Sequence, residues 1–221
     1  MTRLIIVRHA ETEANIQGVW QGSLDAPLTA RGMRQVAATA RRVAELAQTY
    51  PIDRFYVSPL PRARSTAAAI AAAIRMQPMV EPGLREFDLG DWEGRSFHEL
   101  RETEDLWNHW AKDPAFAPPN GESPLTFAAR VNADFSRLAA EHPDETVLLV
   151  THGGVISNLL AQWLGDGPQD WRRWEAHNCA ISVIEQDEER CWRPILVNDI
   201  SHLPPDVRVQ EDGTAWAVAN G

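Results

Sequence analysis

Residues 4–11 read LIIVRHAE and residues 146–154 read TVLLVTHGG. Each is a short run of mostly branched apolar residues that stops at a histidine. Such a run, bounded at once by charge or glycine, is the pattern of a strand buried on both faces, as in a parallel sheet covered by helices. In open parallel sheets, ligands bind outside the carboxyl ends of the strands. If the two runs are neighbours, His9 and His152 face each other across that crevice, with Arg8 beside the first. Either histidine alone reads as a structural residue. Two in the same setting, each followed by a turn or a helix start, favour a shared site.

The rest of the chain alternates in the same rhythm. Thr29 reads as a helix cap, followed at helical spacing by Met33, Val36, Ala37, Ala40, Val43, Ala44 and Ala47. Phe55–Val57 is a second strand candidate, and 61–74 an alanine-rich helix opening on Pro61. Ser123 and Pro124 start a helix whose apolar face is Phe127, Val131, Phe135 and Leu138. Another helix runs over 155–164 and stops at Gly165, in the manner of a helix-closing glycine. Ile181–Glu185 and Pro194–Val197 are weaker strands, the second expected to begin after its proline. Alternating strands and helices imply an α/β fold around a largely parallel sheet. With no repeat and no low-complexity linker, residues 1–221 read as one domain. The stretch 95–123 breaks the rhythm with two tryptophans and three prolines, as an insertion over one end of the sheet would. The tail after Leu203 gives no reading.

Composition narrows the partners. A chain of 221 residues, 44% hydrophobic and 24% charged, can bury a sizeable core. No stretch is apolar for the roughly 18 residues a membrane helix needs, and the four apolar residues near the start are too few for a signal peptide. The expected location is therefore cytoplasmic. A net charge of −10 argues against broad attraction to nucleic acid or anionic membrane, so an anionic substrate would need its positive charges gathered in one pocket. Cys179 and Cys191 lack metal-site spacing and read as two small buried hydrophobes rather than a disulfide.

A strand-end histidine beside arginine suits phosphoryl transfer, which needs an in-line nucleophile and positive charge on the equatorial oxygens. Neutral imidazole is a competent nucleophile, and the arginine fork matches phosphate oxygens. Ser58–Thr66 follows the second strand and brings Arg62 or Arg64 to the same sheet edge. A general acid for the leaving oxygen could come from Leu84–Gly94, which holds Glu86, Asp88, Asp91 and Glu93. Chemistry alone does not choose among the four.

With these residues in place, the sequence resembles the histidine phosphatase superfamily, the group that includes the cofactor-dependent phosphoglycerate mutases. The hallmark Arg-His-Gly stands here as Arg8-His9-Ala10, with alanine for the usual glycine. QGSLDAPLTARGMRQ (21–35), SPLPRARST (58–66), LREFDLGDWEG (84–94), GES (121–123), VTHGG (150–154) and NDISHL (198–203) match in family order. The resemblance implies a three-layer α/β/α sandwich with a mostly parallel central sheet. By position it implies that His9 takes the phosphoryl group, and that Arg8, Arg62, His152 and Asn15 bind its oxygens. Glu86 would be the proton donor, and Gln21 and Gly22 would lie in a loop closing over the phosphate. No metal and no cofactor are implied.

A phosphatase is the favoured activity, acting on a small phosphorylated metabolite, with a homodimer left open as the assembly. The alternatives are phosphoglycerate mutase-type transfer and a non-catalytic phospho-ligand binder. A mutase must shield its phosphohistidine under a longer, arginine-rich cap, whereas only about 26 residues separate Gly94 from Gly121, with Arg95 and Arg101 as their sole arginines. Trp107, Trp110 and Phe116 could wall a ring-bearing substrate, but ordinary cap packing is the favoured reading.

Overall fold

A computed structural model describes residues 1–208 of the chain, apart from the side chain of Trp107. In chain order the elements are β1 (Arg3–Arg8), α1 (Glu13–Ile16), α2 (Ala30–Thr49), β2 (Arg54–Val57), α3 (Pro61–Ile74), β3 (Met79–Val80), α4 (Phe97–Glu104), α5 (Leu106–Lys112), α6 (Pro124–Glu141), β4 (Thr146–Thr151), α7 (Gly153–Leu164), β5 (Ile181–Gln186) and β6 (Trp192–Asp199). The strands form one sheet in the order β3-β2-β4-β1-β5-β6. The first four of these are mutually parallel, and β5 and β6 add antiparallel pairings at one side.

Strand periodicity divides the core into two layers. Leu4 and Ile6 of β1, with Val147 and Leu149 of β4, point to one face, where Phe127, Val131, Phe135 and Leu138 of α6 cover them with α7. Ile5, Val7, Leu148 and Val150 point to the other face, against Val43 and Leu46 of α2 and Ala63, Ala67 and Ile70 of α3. Helices on both faces of a mostly parallel sheet make a three-layer α/β/α sandwich. Leu100 of α4 and Leu106 of α5 are buried in the first cluster, so the 95–123 stretch folds onto the α6–α7 side.

The helix starts are chemically specified. Thr29 accepts from Gly32 N at 2.8 Å, and Ser123 forms a reciprocal capping box with Thr126. Three local expectations need correction. Gly165 ends α7 with φ −110°, so it does not close the helix in the left-handed region. A Cβ there would lie 2.8 Å from Ala161 O and from Trp174 Nε1, so close approach explains the glycine. Strand β6 does not wait for its proline but runs through Pro194, tolerated because β6 is an edge strand with an irregular register opposite β5. Cys179 is buried, but Cys191 is exposed; neither is in a disulfide.

Candidate active site

Strands β1 and β4 pair in parallel register, Arg8 opposite Thr151, so His9 and His152 are the next residues on adjacent strands. Their ring centroids lie 5.2 Å apart. His9 Nδ1 is 2.8 Å from Ala10 O. A carbonyl only accepts, so Nδ1 carries the proton and the lone pair is on Nε2. The His9 backbone is held in turn by Cys179 N and by Asn178 Nδ2 on its carbonyl, at 3.3 and 3.1 Å. His152 Nε2 pairs with Ser58 Oγ at 2.7 Å, immediately beyond β2, while its Nδ1 is buried without a partner. Three parallel strands thus deliver their carboxyl ends to one point. Both imidazoles are pushed well below the ordinary 6.5, first by burial and then by the Arg62 guanidinium, with Arg8 adding to it. They are neutral near pH 7.

Arg62 sits in the first turn of α3 and is only 2% exposed, whereas Arg64 two residues on is exposed. Its Nη1 and Nη2 donate to Leu24 O and Gly22 O, both at 2.8 Å, and its Nε is buried without a partner. Burial lowers its pKa from the ordinary arginine value; a guanidinium nonetheless stays protonated in proteins. Arg8 donates through Nη1 to Ala176 O. The 175–177 turn is in turn held by Asn198, which accepts from His177 N at 2.8 Å and donates to Glu175 O at 2.9 Å. The late NDISHL segment therefore acts on the site indirectly, by placing the carbonyl that orients Arg8.

Asn15 and Gln21 flank the histidine. Asn15 Oδ1 accepts from Thr12 N and Oγ1, which assigns its Nδ2 as the outward donor. Gln21 donates to Thr12 Oγ1 at 2.9 Å. Gly22 has φ +51°, a conformation that glycine adopts without strain. The loop they begin is latched from outside by Glu93, which accepts from Ser23 N at 2.7 Å and Ser23 Oγ at 2.6 Å.

Among the four acids, geometry separates Glu86. Its Oε1 accepts from Phe87 N at 2.9 Å and its Oε2 from Gly154 N at 3.0 Å, at the start of α7. The absence of a Cβ at Gly154 leaves room for this carboxylate, since a Cβ there would lie 2.5 Å from Glu86 Oε1 and push it aside. Asp88 caps Gly90 N, Asp91 takes Asn120, and Glu93 holds Ser23. The backbone around Glu86 is held by Arg130, which donates to the carbonyls of Gly83, Arg85 and Glu86 and pairs with Glu122.

A cavity of about 630 Å³ opens onto Arg8, His9, Asn15, Gln21, Gly22, Arg62 and Glu86. His152 is fully buried and is not part of its wall. Outside this charged end the wall is largely uncharged, with six aromatic residues among aliphatic, proline and polar ones. Trp110 lines it and also packs on Trp20 and Phe87, so packing alone does not describe it. Phe116 packs against Trp92 and His109 instead, and the Trp107 side chain lies outside the described residues. The sequence reading missed the 3₁₀ turn Pro168–Trp174, which brings Trp171 and Arg172 to the cavity. It has no helical or strand period to find; its one signal is the density of tryptophan. Among the described residues, no group of three or more His, Cys, Asp or Glu could hold a metal ion, and no helix is long and apolar enough to cross a membrane.

Residues 4–200 match the histidine phosphatase superfamily, branch 1. The chain is 35% identical to the "Probable phosphoglycerate mutase GpmB" of Proteus mirabilis, over 96% of its own length and 99% of the relative's. It is 38% identical to the adenosylcobalamin/alpha-ribazole phosphatase of Salmonella typhimurium, over 73% and 79% of the two lengths. Among solved structures it resembles a phosphoserine phosphatase from Entamoeba histolytica, with a TM-score of 0.81 and 27% identity, covering 92% of this chain and all of that one.

Proposed function

The chain belongs to the histidine phosphatase superfamily, and from that premise we propose that it hydrolyses a phosphate monoester through a phosphohistidine on His9. The observation that carries this is the His9 ring. Its proton is committed to Ala10 O, its Nε2 lone pair is free for attack, and Arg8, Arg62 and Glu86 line the same cavity. Nε2 attacks phosphorus in line while the bond to the leaving oxygen breaks. Arg8, the Arg62 Nε and Asn15 Nδ2 donate to the phosphoryl oxygens. His152 lies behind this wall beside His9, where a hydrogen bond donated by the Ser58 hydroxyl to its Nε2 leaves the ring proton on its unpartnered Nδ1, the donor it would turn to the phosphoryl group if the wall shifts on binding. Glu86 gives its proton to the departing oxygen. It then takes one from the water that attacks phospho-His9, releasing inorganic phosphate. The gathered cations supply the charge stabilisation, so the reading is metal-independent.

Hydrolysis is favoured over mutase transfer by the cap. Arg95 is occupied by Glu99 and Glu104, Arg101 pairs with Glu102, and neither lines the cavity. A second phosphate would find no cluster of cations there. Rapid quenching during turnover should trap an acid-labile, base-stable phosphoprotein that is missing in His9→Ala. That variant should lose several orders of magnitude in rate, and activity on p-nitrophenyl phosphate should survive EDTA. Label on serine, or an undiminished His9→Ala enzyme, would overturn the mechanism.

A further inference from the structure

Beyond the phosphate end, the cavity wall carries Trp20, Phe87, Phe97, Trp110, Phe127 and Trp171. Five of these form one connected aromatic cluster. Trp20 lies 5.1 Å from Phe97, 5.7 Å from Trp110 and 5.9 Å from Phe87, and Phe87 lies 4.8 Å from Phe127, all between ring centroids. Rings packed on one another, here tilted in two contacts and edge to face in two, are already ordered, so a ligand contacting them meets a surface whose conformational entropy is largely spent. Trp171 reaches the cavity from a separate element, the 3₁₀ turn after α7.

Charge on this wall is nearly balanced. Among the described residues, the one cation lining the cavity away from Arg8 and Arg62 is Arg172, and Glu175 lines it three residues further on. A leaving group with its own carboxylate would bring a charge that this region does not match, and its desolvation would go largely uncompensated. The volume of about 630 Å³ is in the range that accommodates a drug-sized ligand and exceeds what a three-carbon phosphoester fills.

We infer that the physiological substrate is a monoester whose alcohol portion carries an uncharged aromatic ring, seated against the Trp20–Trp110–Phe87 cluster and Trp171. This deepens the monoesterase reading of the same site and rests on it. Binding energy from the remote ring would hold the phosphoryl group in line with His9.

The test compares alkyl monoesters, whose leaving oxygens are similarly basic: 2-(1-naphthyl)ethyl phosphate against ethyl phosphate, glycerol 3-phosphate, phosphoserine and 3-phosphoglycerate. A single methylene in an apolar pocket is worth about 10–200-fold, so the naphthyl ester should exceed each of the others in kcat/KM by about 30-fold or more. Trp110→Ala should shrink that ratio at least tenfold, mainly through KM. Because Trp110 also packs in the core, Trp171→Ala serves as a second variant with the same expectation. Equal or better turnover of phosphoserine, 3-phosphoglycerate or glycerol 3-phosphate overturns the inference and leaves the monoesterase reading standing. No phosphate release from any ester, p-nitrophenyl phosphate included, overturns the monoesterase reading instead. In that event binding decides the ring's role: 2-(1-naphthyl)ethylphosphonate should bind about 30-fold more tightly than ethylphosphonate, and equal affinities overturn it.

Discussion

Glu86 rests both carboxylate oxygens on backbone N–H groups, so its position is set before any substrate arrives. General acid catalysis contributes about 10²–10⁴-fold, and Glu86→Gln should lower kcat on glycerol phosphate by that much. The loss should be far smaller on p-nitrophenyl phosphate, whose leaving group departs without a proton; equal losses on both would mean that Glu86 only holds the pocket together. Asp88→Asn and Asp91→Asn should stay within about tenfold of the parent. The buried histidines make a second prediction at this scale. His9 and His152 have folded pKa values below 6.5, so on acidification the unfolded chain binds protons first. Their contribution to stability is therefore complete above pH 6.5 and is lost as pH falls below it, by up to about 1.4 kcal/mol per pH unit for each group. His202, also lowered by burial, adds to the same window. The melting temperature should be flat from pH 8 to 7 and fall between 6.5 and 5, and His152→Gln should flatten that fall; a midpoint unchanged between pH 7 and 5 would contradict this. The Arg8-His9 pair was legible in the sequence because the apolar run ends on it. Residue chemistry alone did not separate Arg62 from Arg64, because residues two apart point to opposite sides of a helix and helical period does not say which side meets the sheet edge; only the family resemblance chose Arg62.

At the scale of elements, the N-terminus of α7 and the loop beginning at Gln21 do the positioning. Gly154→Ala puts a methyl where Glu86 Oε1 lies, so the carboxylate must move. The expected result is a loss of at least about tenfold in kcat on alkyl phosphates, with aryl phosphates spared, as for Glu86→Gln. A uniform loss on both substrate types, or none, would separate this glycine from the proton donor. The Glu93 latch on Ser23 calls for a different signature. Glu93→Gln and Ser23→Ala should each raise KM several-fold with little change in kcat, because they free the loop that carries Gln21 and the carbonyls gripping Arg62. A drop in kcat without a change in KM would remove the latch role. Elements with a strong period and a chemical cap were legible to within a residue or two: α3 begins at its proline and α6 at its serine cap. The Pro168–Trp174 turn and the two-residue β3 were not, because short irregular segments are placed by tertiary contacts.

Across the whole molecule, the site draws on β1, α3, the start of α7 and the 84–94 stretch, so an anion bound there ties distant parts of the chain together. Inorganic phosphate at a hundredfold its dissociation constant should stabilise the folded chain by about 2.7 kcal/mol, a rise of roughly 5–10 °C in melting temperature for a chain of this size. In Arg62→Ala the rise should largely vanish, and an equal rise in that variant would place the anion elsewhere. The sandwich was legible from the alternation of apolar runs with amphipathic stretches; the antiparallel turn of β5 and β6 was not, because direction within a sheet depends on connections that carry no periodic signal. The strand that leads into His9 is made well before its partners β4 and β5, which lie more than 130 residues downstream. A nascent chain that has emerged only to Gly165 can pair β1 with β4, but it still presents Leu4–Val7 as an open, wholly apolar edge. Synthesis interrupted at that point should yield sticky, chaperone-dependent fragments, and the active centre closes only after residue 186 has left the exit tunnel.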